Sequence, residues 1–328
     1  MTTATATESA MARSEPTAGP QSVGLLDKLR LAAAAAVAVA LMWGIGWLVA
    51  APGDPQMAVT FTLRGTRLLM VLPPLLVLVV VASAVGTVLA GPRWPEGGCF
   101  AMAVGLAALA LRGGSMQVAL AYHAGTEPAS RHALMMAMGF DVLCWTLVLG
   151  AGWATGWIAW RWLWPESART RQHAFATGQG AAGTDAQSGW PGWSALAVTT
   201  VVALLVIWIT VARTPVAVIA RGQVIASVAA GLYLGALAAR YFTGVTASEW
   251  YALAVPAVGG VGFLMGYLQA NMSWATGPWA PYTLLATTPP HALARPLPVE
   301  YLAVGLAAVL IGFWSGQNVE HAAEHAAA

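Results

Sequence analysis

Charge is what this sequence has least of. Charged residues fill only 9% of its 328 positions, where a soluble globular chain carries about 25%. A chain so poor in charge cannot cover a water-facing surface, which excludes a soluble domain and implies lipid around it. Lysine is nearly missing: Lys28 is the single one among fifteen basic residues. A net charge of +2 with no basic run excludes an electrostatic nucleic-acid partner. Two cysteines, Cys99 and Cys144, give no disulfide framework and are expected as free thiols at different depths.

What the chain does have is long apolar runs and 16 tryptophans. The most telling run lies within Ala133–Trp164. From Leu134 to Trp160 it is long enough to cross a bilayer. It ends on Trp153, Trp157, Trp160 and Trp164, spaced so that a helix puts them on one face at headgroup level. It also carries Asp141. An ionised group in hydrocarbon costs about 2.5–3.5 kcal/mol on the insertion scale, so this carboxylate needs a partner or a task.

Residues 1–27 are small and polar and are expected to form a disordered tail. They do not read as a signal peptide, because the first apolar run begins only at Leu31 and is too long for one. Eight spans are expected: Leu31–Ala51, Leu68–Ala90, Cys99 continuing past Arg112 toward Tyr122, Leu134–Trp160, Ala195–Ala212, Val216–Ala239, Trp250–Leu268 and about Val299–Gly316. Pro73 and Pro74 predict a kink in the second. The fold class is therefore an all-α polytopic membrane bundle of about eight transmembrane helices.

The polar stretch 165–194 reads as a flexible linker between a first half, 28–164, and a second, 195–316, each of four spans. A short tail, 317–328, follows. Phe100–Val104 echoes Tyr251–Val255, and Met116-Gln117 echoes Leu268-Gln269, which raises the idea of parallel repeats. Ala, Gly, Leu and Val are so common here that coincidence is the plainer account. Eight of the fifteen basic residues fall on the side of the linker and both tails, six at or near the other, and Arg221 within a span. The cluster Arg161, Arg169 and Arg171 makes that first side the cytoplasmic one, with both termini there and the chain in a bacterial inner membrane. A segment of about 30 residues, Gln269–Pro298, then lies outside, with Trp274, Trp279 and Tyr282 followed by a proline-rich strap.

Helix rise places Asp141 roughly 12 Å, Arg221 roughly 8 Å and Arg112 roughly 15 Å below the outer ends of their spans. Gln117, Gln223 and Gln269 fall in the same outer half. Asp141 is accordingly expected to face Arg221 or Arg112, since a guanidinium fork grips a carboxylate well. The plainer role for such a pair is locking helix packing. The functional one is an outward polar cluster of these six residues that binds an anionic ligand or lipid headgroup.

Motif matches carry little. Gly178–Gly183 spells G-x-G-x-x-G but has no strand before it or helix after it within a βαβ unit. His321-Ala-Ala-Glu324-His325 spells a zinc motif with no catalytic domain around it, and reads as a solvated tail. Asn271-Met-Ser273 is a glycosylation sequon only in a eukaryotic secretory setting. Aspartyl intramembrane proteolysis fails for want of a second membrane aspartate beside Asp141. Ser115 with His123 or His291 lacks an oxyanion hole, and the histidines lie too near the loops to ligate haem. No cofactor or metal is expected. The expected partners are the lipid bilayer and other membrane-protein subunits. The sequence thus favours a non-enzymatic membrane subunit or a lipid- or protein-interacting assembly factor. A small-solute or ion transporter comes second and a lipid-modifying enzyme third.

Overall fold

The computed structural model describes residues 24–54, 56–63, 68–124, 127–169, 191–211, 217–269 and 288–327, with side chains described to residue 317 and not over 217–220. Among these there is no strand; the elements are helices and their connections. In chain order they are α1 (Leu25–Ala50), α2 (Leu68–Ala90), α3 (Gly97–Arg112), α4 (Met116–His123), α5 (Pro128–Leu163), α6 (Gly192–Thr210), α7 (Ala217–Thr243) and α8 (Ser248–Leu268). The last, α9, is a π turn over Glu300–Val304 that runs on as Gly305–Ala327. The N-terminal tail, the linker over 170–190 with its glycine motif, and the tryptophan-bearing loop 270–287 with its sequon lie outside the described residues.

Six of these helices are long and apolar enough to cross a membrane, seven if α3 and α4 count as one broken span. The expected count of about eight is close to this, and two of the expected spans differ in form. The third span does not continue through Arg112 but breaks, and α4 leaves α3 at 49°. Gly113 and Gly114 form the break. Glycine is the weakest helix former after proline, and here the connection after α1 crosses directly over it. Gly114 N–H donates to Met57 O at 2.8 Å, and a Cβ on Gly114 would collide with the Gln56 carbonyl. The eighth stretch, Val299–Gly316, is helical, but it opens on a π turn and lies inside the bundle, buried on nearly every side from Pro298 to Gly316. An all-round apolar helix is what such a position requires. In α2 the helix runs through Pro73 and Pro74 without interruption.

Packing follows the order of the chain. Helix α1 lies on α2 and α3, and α2 on α3 and α5. In the second half α6 lies on α7, α7 on α9, and α8 on both α6 and α9. The two sets meet where α5 packs on α8 and α3 packs on the π turn of α9. Glycines let backbones approach at these seams. A Cβ on Gly98 would fall 2.0 Å from Thr87 Oγ1 and 2.4 Å from Ser83 O, and one on Gly312 2.5 Å from Tyr233 O. Gly91 and Gly244, at φ 86° and 64°, end α2 and α7 in the left-handed conformation that suits a glycine after a helix. Large apolar side chains such as Leu69, Val77, Leu147, Ile158, Val201 and Leu264 stand exposed around the outside, as a bilayer-facing surface demands.

Helix α5, with 36 residues, is the longest element. Gly152 and Gly156 meet Val79, Met102, Ser83 and Cys99 of α2 and α3, so counting up the helix brings Asp141 level with the start of α2 and the end of α3. The residues before it, 128–140, rise about 20 Å further and pack instead on the end of α8 and the strap that follows. Gly266 meets Met135, and the His132 and Tyr267 rings stand edge to face at 5.1 Å. The tryptophan face at the other end is split: Trp160 is buried and donates to Pro92 O at 3.0 Å, while Trp162, off that face, is the exposed one.

Candidate functional site

Three structural irregularities gather at the end of the first half where α1 and α3 finish and α2 begins: the non-helical connection 51–63, the break between α3 and α4, and the π turn of α9. Non-helical backbone at membrane depth has carbonyls and N–H groups that water does not reach, and these must be satisfied from within. The buried charges do this.

Asp141, fully buried on α5, accepts from Phe61 N–H at 2.6 Å and Thr62 N–H at 3.1 Å through one oxygen. Its other oxygen accepts from Trp145 Nε1 at 3.1 Å, one turn further along the same helix. The Phe61 ring in turn lies 4.6 Å from the Trp145 ring. A carboxylate, an indole and a phenyl ring together pin the connection between α1 and α2 into the bundle.

Arg221 does the same for the broken span. Its fork donates to the carbonyls of Gly113 and, at 2.6 Å, Ala110, the last acceptors of α3. A helix C-terminus carries unsatisfied carbonyls and a negative dipole end, and a guanidinium answers both. Arg221 Nε also pairs with Glu300 Oε1 at 3.3 Å. Glu300 is 2% exposed and takes Leu297 N–H on its other oxygen at 2.9 Å. The expected pairing of Asp141 with Arg221 or Arg112 is thereby corrected: the carboxylate that answers Arg221 is Glu300. Arg112 is exposed and lies over the Trp43 and Trp47 rings of α1, 5.3 and 4.8 Å from their centres, and donates to Trp43 O. That carbonyl belongs to a π turn in α1, Met42–Gly46, the kind of irregularity that frees a carbonyl for an outside donor.

The amides divide similarly. Gln117 is buried and shares with Ser115, Arg221, Arg295 and Glu300 a cavity of about 20 Å³, room for one water. Gln223 is exposed and donates to Thr210 O at 2.9 Å, joining α7 to the end of α6. Gln269 ends α8. Of the six expected site residues, then, only Arg221 and Gln117 line one cavity. The two that the sequence reading left out are Glu300 and Arg295. The signal for Glu300 was its place, an acid two residues after Pro298 at the head of an apolar run.

The strap from Thr288 to Pro298 closes this end. Arg131 donates to Thr288 O at 2.7 Å and Tyr301 Oη to Leu293 O at 2.6 Å. His291 Nδ1 accepts from Leu293 N–H at 3.1 Å, capping the short turn Ala292–Ala294. Partial burial holds the His291 imidazole below the ordinary histidine range and pushes the Arg295 guanidinium down to about 10.

The bundle has two larger hollows. One, about 450 Å³, lies under the α1–α2 connection with Asp54, Thr60 and His123 among its walls. The other, about 300 Å³, is an apolar groove between α5 and α8 with α9 behind it. Among the described residues no group of three or more His, Cys, Asp or Glu could hold a metal ion. No protein-family model matches the chain, and no curated protein and no solved structure is similar to it.

Proposed function

We propose that this chain is a non-enzymatic subunit of the membrane, an integral scaffold that assembles with lipid and with other membrane proteins. The observation that carries this reading is the use made of the charges at that end of the first half. Asp141 takes loop amides, Arg221 takes the carbonyls of a broken helix and the carboxylate of Glu300, and the cavity that Arg221 and Glu300 share with Gln117 and Arg295 is about 20 Å³. A solute path or an active site needs polar groups turned toward a vacancy of several hundred Å³. These are turned toward the backbone.

A small-solute or ion transporter is the second reading, favoured by the discontinuous α3–α4 span with two charged groups at its break. Interrupted helices of this kind form midplane sites in several transporter folds. Proteoliposomes containing the full chain separate the two. The subunit reading expects ion and small-solute leak equal to empty vesicles. Flux above that level that Glu300→Gln abolishes, with the protein still folded, would establish transport instead.

A further inference from the structure

The groove between α5 and α8 is concave, open to the side and charged at one end. Gly150 and Trp153 of α5 form one wall, Pro256 of α8 the other, and Leu302 and Leu306 of α9 the floor. A Cβ built on Gly150 meets nothing within 4 Å, so this wall has open space in front of it. The one charged lining residue is Glu249, exposed in the first turn of α8. That end of α8 adjoins the bundle's tryptophan-bearing boundary: the next residue along from Glu249, toward the helix start, is Ser248, which donates to Glu96 at the head of α3.

From Glu249 to Pro256 the groove runs roughly 10–12 Å along the helices. Its walls are apolar apart from Glu249 and Thr146, so what fills it must bring no unsatisfied polar backbone into lipid. The hollow therefore suits a single flexible hydrocarbon chain, and an acid at its boundary end suits a cationic headgroup on that chain.

We infer that this groove is a binding site for one acyl chain of an aminophospholipid, whose ammonium group meets the Glu249 carboxylate in the leaflet beside the Trp153–Trp164 end of α5. The inference deepens the membrane-subunit reading and rests on it for the lipid setting. Because the headgroup contact is at a wet boundary, the selectivity it gives is modest, roughly threefold over a choline headgroup.

The test uses the full chain in nanodiscs of equal phosphatidylethanolamine and phosphatidylcholine, with retained lipid read by native mass spectrometry. The wild type should keep phosphatidylethanolamine in preference. Glu249→Gln should keep lipid but lose the preference, and Gly150→Leu, whose Cβ meets no neighbour and whose longer side chain enters the hollow, should lose the retained lipid at an unchanged thermal midpoint. An unchanged headgroup ratio in Glu249→Gln, or lipid retained in Gly150→Leu, overturns the proposal. A photo-crosslinker at Leu253 that captures a protein in native membranes also overturns it while leaving the subunit reading standing. Solute flux in proteoliposomes would remove the subunit reading alone, because lipid retention is read separately.

Discussion

At the scale of single residues, the buried ions behave as backbone caps, and substitutions should be read in the segments they cap. Reversing Asp141 and Arg221 together should give no rescue over either single variant, because the two do not touch. Arg221→Met should destabilise by about 3–5 kcal/mol, since it strands the Glu300 carboxylate in the core. Adding Glu300→Gln should recover part of that loss, a coupling that thermal unfolding in mild detergent would register and that Asp141→Asn should not show. Asp141→Asn turns an amide donor toward either the loop N–H groups or the Trp145 indole, a mismatch of about 1–3 kcal/mol. His291 gives a pH signature. Its folded-state affinity for protons is lowered, so the unfolded strap binds more protons just below the ordinary histidine value. Stability of the strap is then complete above about pH 6.5 and falls as the pH drops toward the folded value. Hydrogen exchange over 288–298 should quicken between neutral and mildly acidic pH in the wild type. In His291→Asn, which keeps an acceptor for Leu293 N–H, that acceleration should vanish.

At the scale of elements, glycine has two opposite roles that a sequence does not separate. Gly98 and Gly150 both lie in apolar helices, yet one is pressed against the α2 backbone and the other faces open space. Gly98→Ala should destabilise by about 1–3 kcal/mol through overpacking. Gly150→Ala should be neutral, or stabilise by up to about 1 kcal/mol through helix propensity. Unfolding midpoints of the pair measure the difference directly. The broken span shows the same gap between composition and context. Gly113-Gly114 is visible in the sequence, but two glycines after an arginine can be crossed by a helix if nothing else competes. The competitor is the connection from α1, whose Gln56 and Met57 carbonyls occupy the space that a continuing helix with side chains would fill. Arg221 then takes the carbonyls that the break exposes.

At the scale of the molecule, a first set, α1–α5, and a second, α6–α9, meet through α3 and α5 on one side and α8 and α9 on the other, with the most buried of the described helices last. If that helix crosses, both termini lie on one side of the membrane. Topology reporters fused to either terminus should then read the same compartment, and one inserted after Gln269 the opposite one; a C-terminal reporter that disagrees with the N-terminal one would mean that α9 enters the bundle without traversing it. The cytoplasm as that shared side is the expectation from the positive-inside count, which the same reporters test.

The apolar runs alone determined that the chain is helical and belongs in lipid, and they located α2, α6 and α8 to within a few residues, because a run of about 20 apolar residues has no other stable form in a bilayer. They also brought Arg221 and Gln117 to the same depth. Depth is a one-dimensional quantity, set by counting along a helix. Partnership is not, since it depends on how each helix is turned about its axis and on which loops fold back among them. That is why Asp141 went to loop amides, Arg221 to Glu300 and the carbonyls of α3, and Arg112 to the tryptophans of α1. It is also why the groove beside Gly150, formed by three helices far apart in sequence, existed only once they were packed.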